Sequence, residues 1–542
     1  MKTTILIVGL IFYCSNLYAQ TCTPPNYCAD QSTTVKPYPA GSVPTPPALN
    51  TSYVDPVFHR AIWRWTDGTI SPDGQRAQGI NWHSGDFAGV FNAMSNALVA
   101  TGDDGWSTVL KLNLSNPSAP SVALWSCTDT TTGLCTRGQI KIGDDPIFAN
   151  LSNYVLYYMT NLGVLSKADF TANYSSPSTA PTVTSPLFNP FAAGNCAAAL
   201  TPLNGGSQPF ITSDDNYIWG FEASTSDKII IWKQGDANCT LLDMAATGGT
   251  WAVSGVGKQG GGTGTISFIS ESGGSASNPG TGCTLHSQWY DQVTNTVVAQ
   301  IQGRDCSNYS GIDSFHISLT SLEGWACDPT HFCGSGHGLG FTLSVAGQGY
   351  ETNFGTFSLN TLTLWSIPLT LPDTPEASGQ YPPDQTGQNF INGHAATVWT
   401  TSFPVLGALY NQDNQQNTAP PQTTLPTTFS IPFAEEIDFW TIPDTTGLNT
   451  KYFRFCHTYE ADSDYDSGGA YYSAVGPALA PNKCWVAFPS NWYGNLGTTG
   501  SRGTPCTISS HCAYDVFAVY LCNGTSGATV ISPPTNLTAT VQ

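Results

Sequence analysis

The sequence predicts an all-β fold built from repeated antiparallel sheet units, and three observations predict it. No stretch sustains a helical apolar period; short runs of β-branched and aromatic residues alternate instead with Gly, Pro, Asn and Asp. Those runs come in pairs, an apolar strand followed by a turn and a second strand, and the pair recurs seven times along the chain. The apolar anchors of the first strands, Leu98, Val155, Ile218, Leu285, Phe341, Leu406 and Val486, stand 56 to 80 residues apart, a period that suits four-stranded units with long loops.

The pairs are 96–100 with 108–114, 154–159 with 164–170, 217–221 with 228–232, 284–290 with 296–301, 340–344 with 362–367, 405–410 with 437–442, and 484–488 with 515–521. The widest interval holds 412–427, rich in Gln, Asn, Pro and Thr, which reads as an insertion. Free sheet edges invite aggregation, and radial repetition leaves only short, protected ones. The last pair ends at Leu521 without a further strand, and 61–66, Ala-Ile-Trp-Arg-Trp-Thr, precedes the first pair without a sheet of its own. These facts predict a seven-bladed β-propeller of four-stranded antiparallel sheets, closed by the N-terminal segment as the outermost strand of the last blade. Two or three tandem β-sandwiches are the alternative.

Residues 1–19 have the basic start, short apolar run and small-residue ending of a secretory signal, with cleavage after Ala19. The run is too short to cross a bilayer, and no later stretch is apolar enough. Residues 20–57 are a Pro- and Thr-rich leader, strapped along the surface or mobile, with order beginning near Phe58. The propeller then occupies 58–522, and 523–542 is a linker. Fifteen cysteines follow the signal, none as Cys-x-x-Cys, which favours disulfides over a zinc ribbon and an oxidising compartment. The expected pairs are Cys22–Cys28, Cys127–Cys135, Cys327–Cys333 and Cys506–Cys512, with Cys196–Cys239, Cys283–Cys306 and Cys456–Cys484 as longer links and Cys522 left over.

Charged residues make up 10% of the chain, and 17 Lys and Arg stand against 37 Asp and Glu, a net charge of −20. Binding phosphate chains needs clustered cations, so nucleic acid is excluded as a partner. A neutral polar, secreted surface points to a glycan or an extracellular protein as partner, for a chain expected to be a monomer with no membrane span.

The chain has no Gly-x-Ser-x-Gly, no His-Glu-x-x-His and no Walker loop. Gly255-x-Gly257-x-x-Gly260 matches a dinucleotide fingerprint but has no helix to receive a pyrophosphate, and reads as a loop. His83, His316, His394 and His457 stand near the expected starts of innermost strands, in blades one, five, six and seven. Converging imidazoles would hold a divalent transition metal or supply a general base; alternatively each caps its own turn. Asp462, Asp464 and Asp466 before Gly468 form a calcium-loop candidate for Ca²⁺, although the EF-hand position of the glycine and the twelfth-residue carboxylate are not matched; a solvated turn is the other reading. Trp492 and Tyr493 are candidates for stacking on sugar rings if exposed.

Ser71-Pro72-Asp73-Gly74, and more loosely 213–218 and 482–488, resemble the blade turns of secreted bacterial propellers. Residues 533–541, Pro-Pro-Thr-Asn-Leu-Thr-Ala-Thr-Val, resemble the opening strand of a fibronectin type III module, too short to fold as one. The leading reading is a non-catalytic secreted or surface propeller that binds a glycan or a protein partner, with the fibronectin-like segment hinting at a modular exported protein. Propeller lyases that hold a divalent ion among histidines suggest the alternative, a metal-dependent polysaccharide lyase or hydrolase using the channel histidines.

Overall fold

The computed structural model describes residues 27–67, 90–126, 146–196, 210–243, 423–460 and 477–522, each with short gaps, and between 250 and 411 the backbone of single strands. Among the described residues the regular elements are β-strands, with one short helix, Thr171–Ser175.

Five sheets position the site. The terminal sheet runs in the order Ser52–Val54, Ala61–Arg64, Asp515–Tyr520, Trp485–Ser490 and Ala478–Leu479. The first sheet holds Ala97–Thr101, Ser107–Lys111 and Val122–Ser126. The second holds Ile147–Phe148, Val155–Met159, Leu165–Asp169 and Thr182–Phe188, and the third Phe210–Ile211, Tyr217–Phe221, Lys228–Lys233 and Thr240–Asp243. The penultimate sheet, just before the terminal one in the chain, holds Ala395–Thr397, Val405–Asn411, Glu436–Ile442 and Lys451–His457. A further four-stranded sheet spans Ser287–Asp291 to Gly324–Ala326.

One hydrogen bond recurs from sheet to sheet. The residue just before one strand accepts, at 2.8 Å, the N–H of the residue just after the strand paired with it: Leu112 to Asn96, Phe170 to Tyr154, Gln234 to Asn216, and Leu521 to Cys484. In three of these turns the residue before the acceptor, Ser95, Asp215 or Lys483, has a φ near +60°. A tight reversal requires that left-handed residue, and short polar side chains tolerate it best. Asp215 also links sheets, its carboxylate accepting the N–H groups of Asn150 and Leu151 at 2.7 and 2.8 Å.

The sheets stack face to face, and alternate residues of one strand enter different cores because side chains alternate across a strand. Leu98 and Ala100 pack with Trp485, Ala487, Val516 and Ala518 of the terminal sheet, whereas Ala97 and Val99 pack with Leu156, Tyr158 and Ala168 of the second. Tyr157 and Leu165 turn the other way, to Ile211, Ile230 and Trp232 of the third. Val486, Phe488, Phe517 and Val519 of the terminal sheet pack with Ile437, Phe439, Phe453 and Phe455 of the penultimate. Strands buried on both sides need continuous apolar runs, which is what Trp485-Val486-Ala487-Phe488 and Val516-Phe517-Ala518-Val519 are.

Six of the seven expected strand pairs are adjacent antiparallel strands. In the fifth, 340–344 lies outside the described residues, and Leu362 pairs with Phe357 instead. Ala61–Arg64 does pair with Asp515–Tyr520, Ile62 opposite Val519 and Arg64 opposite Phe517. Its expected outermost place is corrected: Ser52–Val54 pairs on its far side, so the sheet has five strands. The Asp55 carboxylate makes that extra strand possible by accepting the N–H groups of Val57 and Phe58, which reverses the chain between the two strands.

Two disulfides are described. Cys196–Cys239 is as expected and ties the segment after the second sheet to the turn between two strands of the third. Cys484–Cys522 corrects both the pairing of Cys456 with Cys484 and the choice of Cys522 as the leftover: it clamps the ends of neighbouring strands beside the recurring Leu521 to Cys484 hydrogen bond. Cys456 is a buried free thiol. Cys28 and Cys512 are also disulfide-bonded. No helix among the described residues is long and apolar enough to cross a membrane.

Candidate functional site

Among the described residues, a group of buried ionisable side chains, Asp55, Glu436, Asp438, Arg454 and His457, lies where the leader crosses the penultimate sheet. Order begins well before Phe58: Tyr27 and Tyr38 are buried, and Tyr27 sits among Phe439, Phe453 and Phe455 at 4.5 to 5.9 Å between ring centroids. The leader is therefore strapped down. A second segment, 423–429, runs beside it, with Val43 donating to Thr423 O and Leu425 to Gly41 O. Leu425 and Phe429 join the same core.

His457 ends the strand Lys451–His457 and is fully buried. Its Nδ1 is 2.9 Å from Asp55 Oδ2, and its backbone N–H donates to the same oxygen at 2.9 Å. Its Nε2 is 2.7 Å from the Lys36 carbonyl oxygen. The ring stacks on Tyr38 at 4.0 Å. Burial works against charge on the imidazole, but the Asp55 carboxylate outweighs it and holds the imidazole above its ordinary 6.5. Burial likewise opposes ionisation of Asp55, but the His457 charge and hydrogen bonds keep its carboxyl below 3.8.

Arg454, three residues earlier on the same strand, forms a two-pronged pair with Glu436 at 2.7 and 2.5 Å. Its remaining nitrogen donates to the Ser32 and Thr34 carbonyls at 3.0 and 2.6 Å, and its backbone N–H to Asp30 O at 2.9 Å, so one arginine grips both sheet and leader. Asp438 lies on the same strand as Glu436, and burial together with Glu436 pushes its carboxyl well above the usual range. Arg60 donates to the Cys28 carbonyl from the leader itself.

An aromatic layer completes the site. Tyr459 stacks on Trp492 at 4.5 Å, Trp492 on Phe517 at 4.9 Å, and the Trp492 indole N–H donates to Pro44 O at 2.8 Å. Tyr459, Trp492 and Tyr493 all have φ between 53° and 56°. Bulky residues held there cost of order 1 kcal/mol or more each and persist only where packing over-determines them. Trp492 and Tyr493 are buried, so the expectation of ring faces open to sugars is corrected.

His457 lies on the edge strand at the other side of its sheet from Ala395–Thr397, the strand that faces Ala478–Leu479 of the terminal sheet. Both its ring nitrogens are engaged, which does not fit a metal ligand. His316 sits on the third strand of its sheet, opposite Val298 and Trp325, not at the head of a first strand. His83, His394, Asp462, Asp464 and Asp466 lie outside the described residues. Among the described residues no group of three or more His, Cys, Asp or Glu is placed to hold a metal ion. Sequence reasoning missed Asp55, whose one signal was an isolated carboxylate before a proline in a leader nearly free of charge.

No family model matches the chain, and no curated protein does. Similar solved structures include an oligogalacturonate lyase in complex with manganese, 10% identical over 90% of this chain and 98% of that one, TM-score 0.37. Others are the Dos1 propeller, 9% identical over 81% and 78%, TM-score 0.33, and the periplasmic gluconolactonase of Pseudomonas aeruginosa, 8% identical over 68% and 69%, TM-score 0.26.

Proposed function

We propose that the chain is an exported seven-bladed β-propeller, closed by Ala61–Arg64 in its last blade, that binds a glycan or an extracellular protein without catalysing a reaction. The face-to-face stack supports the ring, since the terminal sheet packs between the penultimate and the first. The observation that carries the non-catalytic reading is the engagement of His457, Asp55, Glu436 and Arg454 with one another and with leader carbonyls. These groups are buried and fasten the fold.

Sheets covered on both faces leave the connecting turns as the surface for a partner. Met94 and Leu151, 55% and 68% exposed, stand on two successive turns of this kind. A glycan array and an extracellular-protein binding screen on the mature chain test the reading, with binding expected and weakened by changes in the turns. A stoichiometric divalent metal lost on replacing His83, His316 or His394 would overturn it in favour of metal chemistry. A crystal structure with six or eight sheets would overturn the architecture.

A further inference from the structure

The leader fastening contains a proton that the hydrogen-bond geometry itself locates. His457 Nε2 faces a carbonyl oxygen, which only accepts, so that nitrogen carries hydrogen. Nδ1 faces Asp55 Oδ2. The other Asp55 oxygen accepts two backbone N–H groups, at 2.7 and 3.0 Å, and Oδ2 accepts a third from His457 itself, as suits an ionised carboxylate. The pair is an imidazolium and a carboxylate, both buried. If the ring loses its second proton, one ring lone pair points at an oxygen less than 3 Å away, and the Asp55 charge is left buried without its counter-charge.

We propose that the Asp55–His457 pair is a proton-controlled fastener: with the imidazolium in place the leader residues 27–50 are clamped over the penultimate sheet, and loss of its proton on the alkaline side frees them while the sheets stay folded. Two further observations support it. Buried ion pairs are poor sources of stability compared with apolar packing, and their best-attested use is in switches and registry. Here the ions gather under a stretch of chain whose Ser32, Thr34, Lys36 and Pro44 carbonyls are held by the side chains of Arg454, His457 and Trp492.

The groups facing His457 act in the same direction. From the leader come Asp55 and the Tyr38 ring, while the Lys36 ammonium is turned to Asp30 at 2.7 Å. From the neighbouring strand comes Glu436, occupied by Arg454. From its own strand and the turn beyond come Cys456, whose thiol burial pushes far up, and Tyr459, raised likewise by burial. Asp438 close by is raised by burial, so higher pH adds a second unfavourable buried charge. The His457 contribution is complete below its ordinary value of 6.5 and is lost as pH rises through its elevated folded value.

Hydrogen exchange read by mass spectrometry on the mature chain, corrected for intrinsic chemistry, tests this between pH 5.5 and 9.5. Peptides covering 27–50 should open by up to about ten-fold per pH unit above the imidazolium titration, while peptides covering 485–490 and 515–520 stay protected. His457→Gln should abolish the step, and Asp55→Asn should move it to lower pH. Flat leader exchange in the wild type, a step that survives His457→Gln, or simultaneous loss of leader and sheets would each overturn the proposal. NMR titration of the wild-type imidazole needs no variant: a value at or below about 6.5 overturns it too.

Discussion

The terminal sheet and the leader are both held from distant parts of the chain, residues 423 to 520, but by opposite chemistry. Ala61–Arg64 is fixed by a backbone ladder to Asp515–Tyr520 and by apolar side chains on both faces, with one polar clasp in which Arg64 meets Asp515 at 2.5 Å. The leader from 27 to 50 has aromatic anchors and isolated backbone hydrogen bonds in place of a ladder, and an imidazolium, a guanidinium and an indole reach its main-chain oxygens. Apolar burial is indifferent to pH and fails as a unit. Contacts that depend on charge can be released one segment at a time.

The comparison breaks first in the apolar core. Phe517→Ala should cost about 3 to 5 kcal/mol and lower the denaturation midpoint of the whole chain, because that ring is shared between the terminal sheet and the aromatic layer under the leader. Arg454→Met should cost about 3 kcal/mol by stranding Glu436, and the loss should appear as protease sensitivity within 27–50; replacing Glu436 by Leu in the same chain should restore most of it. Removing the Cys484–Cys522 link as a double serine variant should cost roughly 2 to 4 kcal/mol, read in the global midpoint, with the leader following only when the sheets fail. On the acid side the fastening should weaken only as pH falls through the lowered Asp55 value, so leader protection should hold at pH 5 and fade well below it. Leu151→Ser, on an exposed turn, should stay within about 0.5 kcal/mol by chemical denaturation.

Strands were legible because their signal is local. Runs such as Trp485-Val486-Ala487-Phe488 carry their own apolar pattern, and the unpartnered 61–66 identified the N-terminal strand that meets the last one. The disulfides show where locality ends. Cys196–Cys239 was legible, but Cys484–Cys522 depends on which strand returns beside Trp485–Ser490, and spacing does not encode that. His457 was placed at the head of a first strand although it ends a fourth; strand order inside a sheet is set by tertiary pairing. Asp55 had no periodic neighbourhood at all. Its importance comes from a partner 402 residues away.

The pairing of residue 62 with residue 519 also fixes an order of events. A ribosome delivers the first of these strands long before the second exists, so the terminal sheet cannot be assembled during synthesis. Closing so long a loop is slow but adds little free-energy cost over a shorter one, since that cost grows only with the logarithm of length. A polypeptide built this way cannot complete that sheet until the strand Asp515–Tyr520 has been made, so its earlier sheets must form and wait with one neighbour missing.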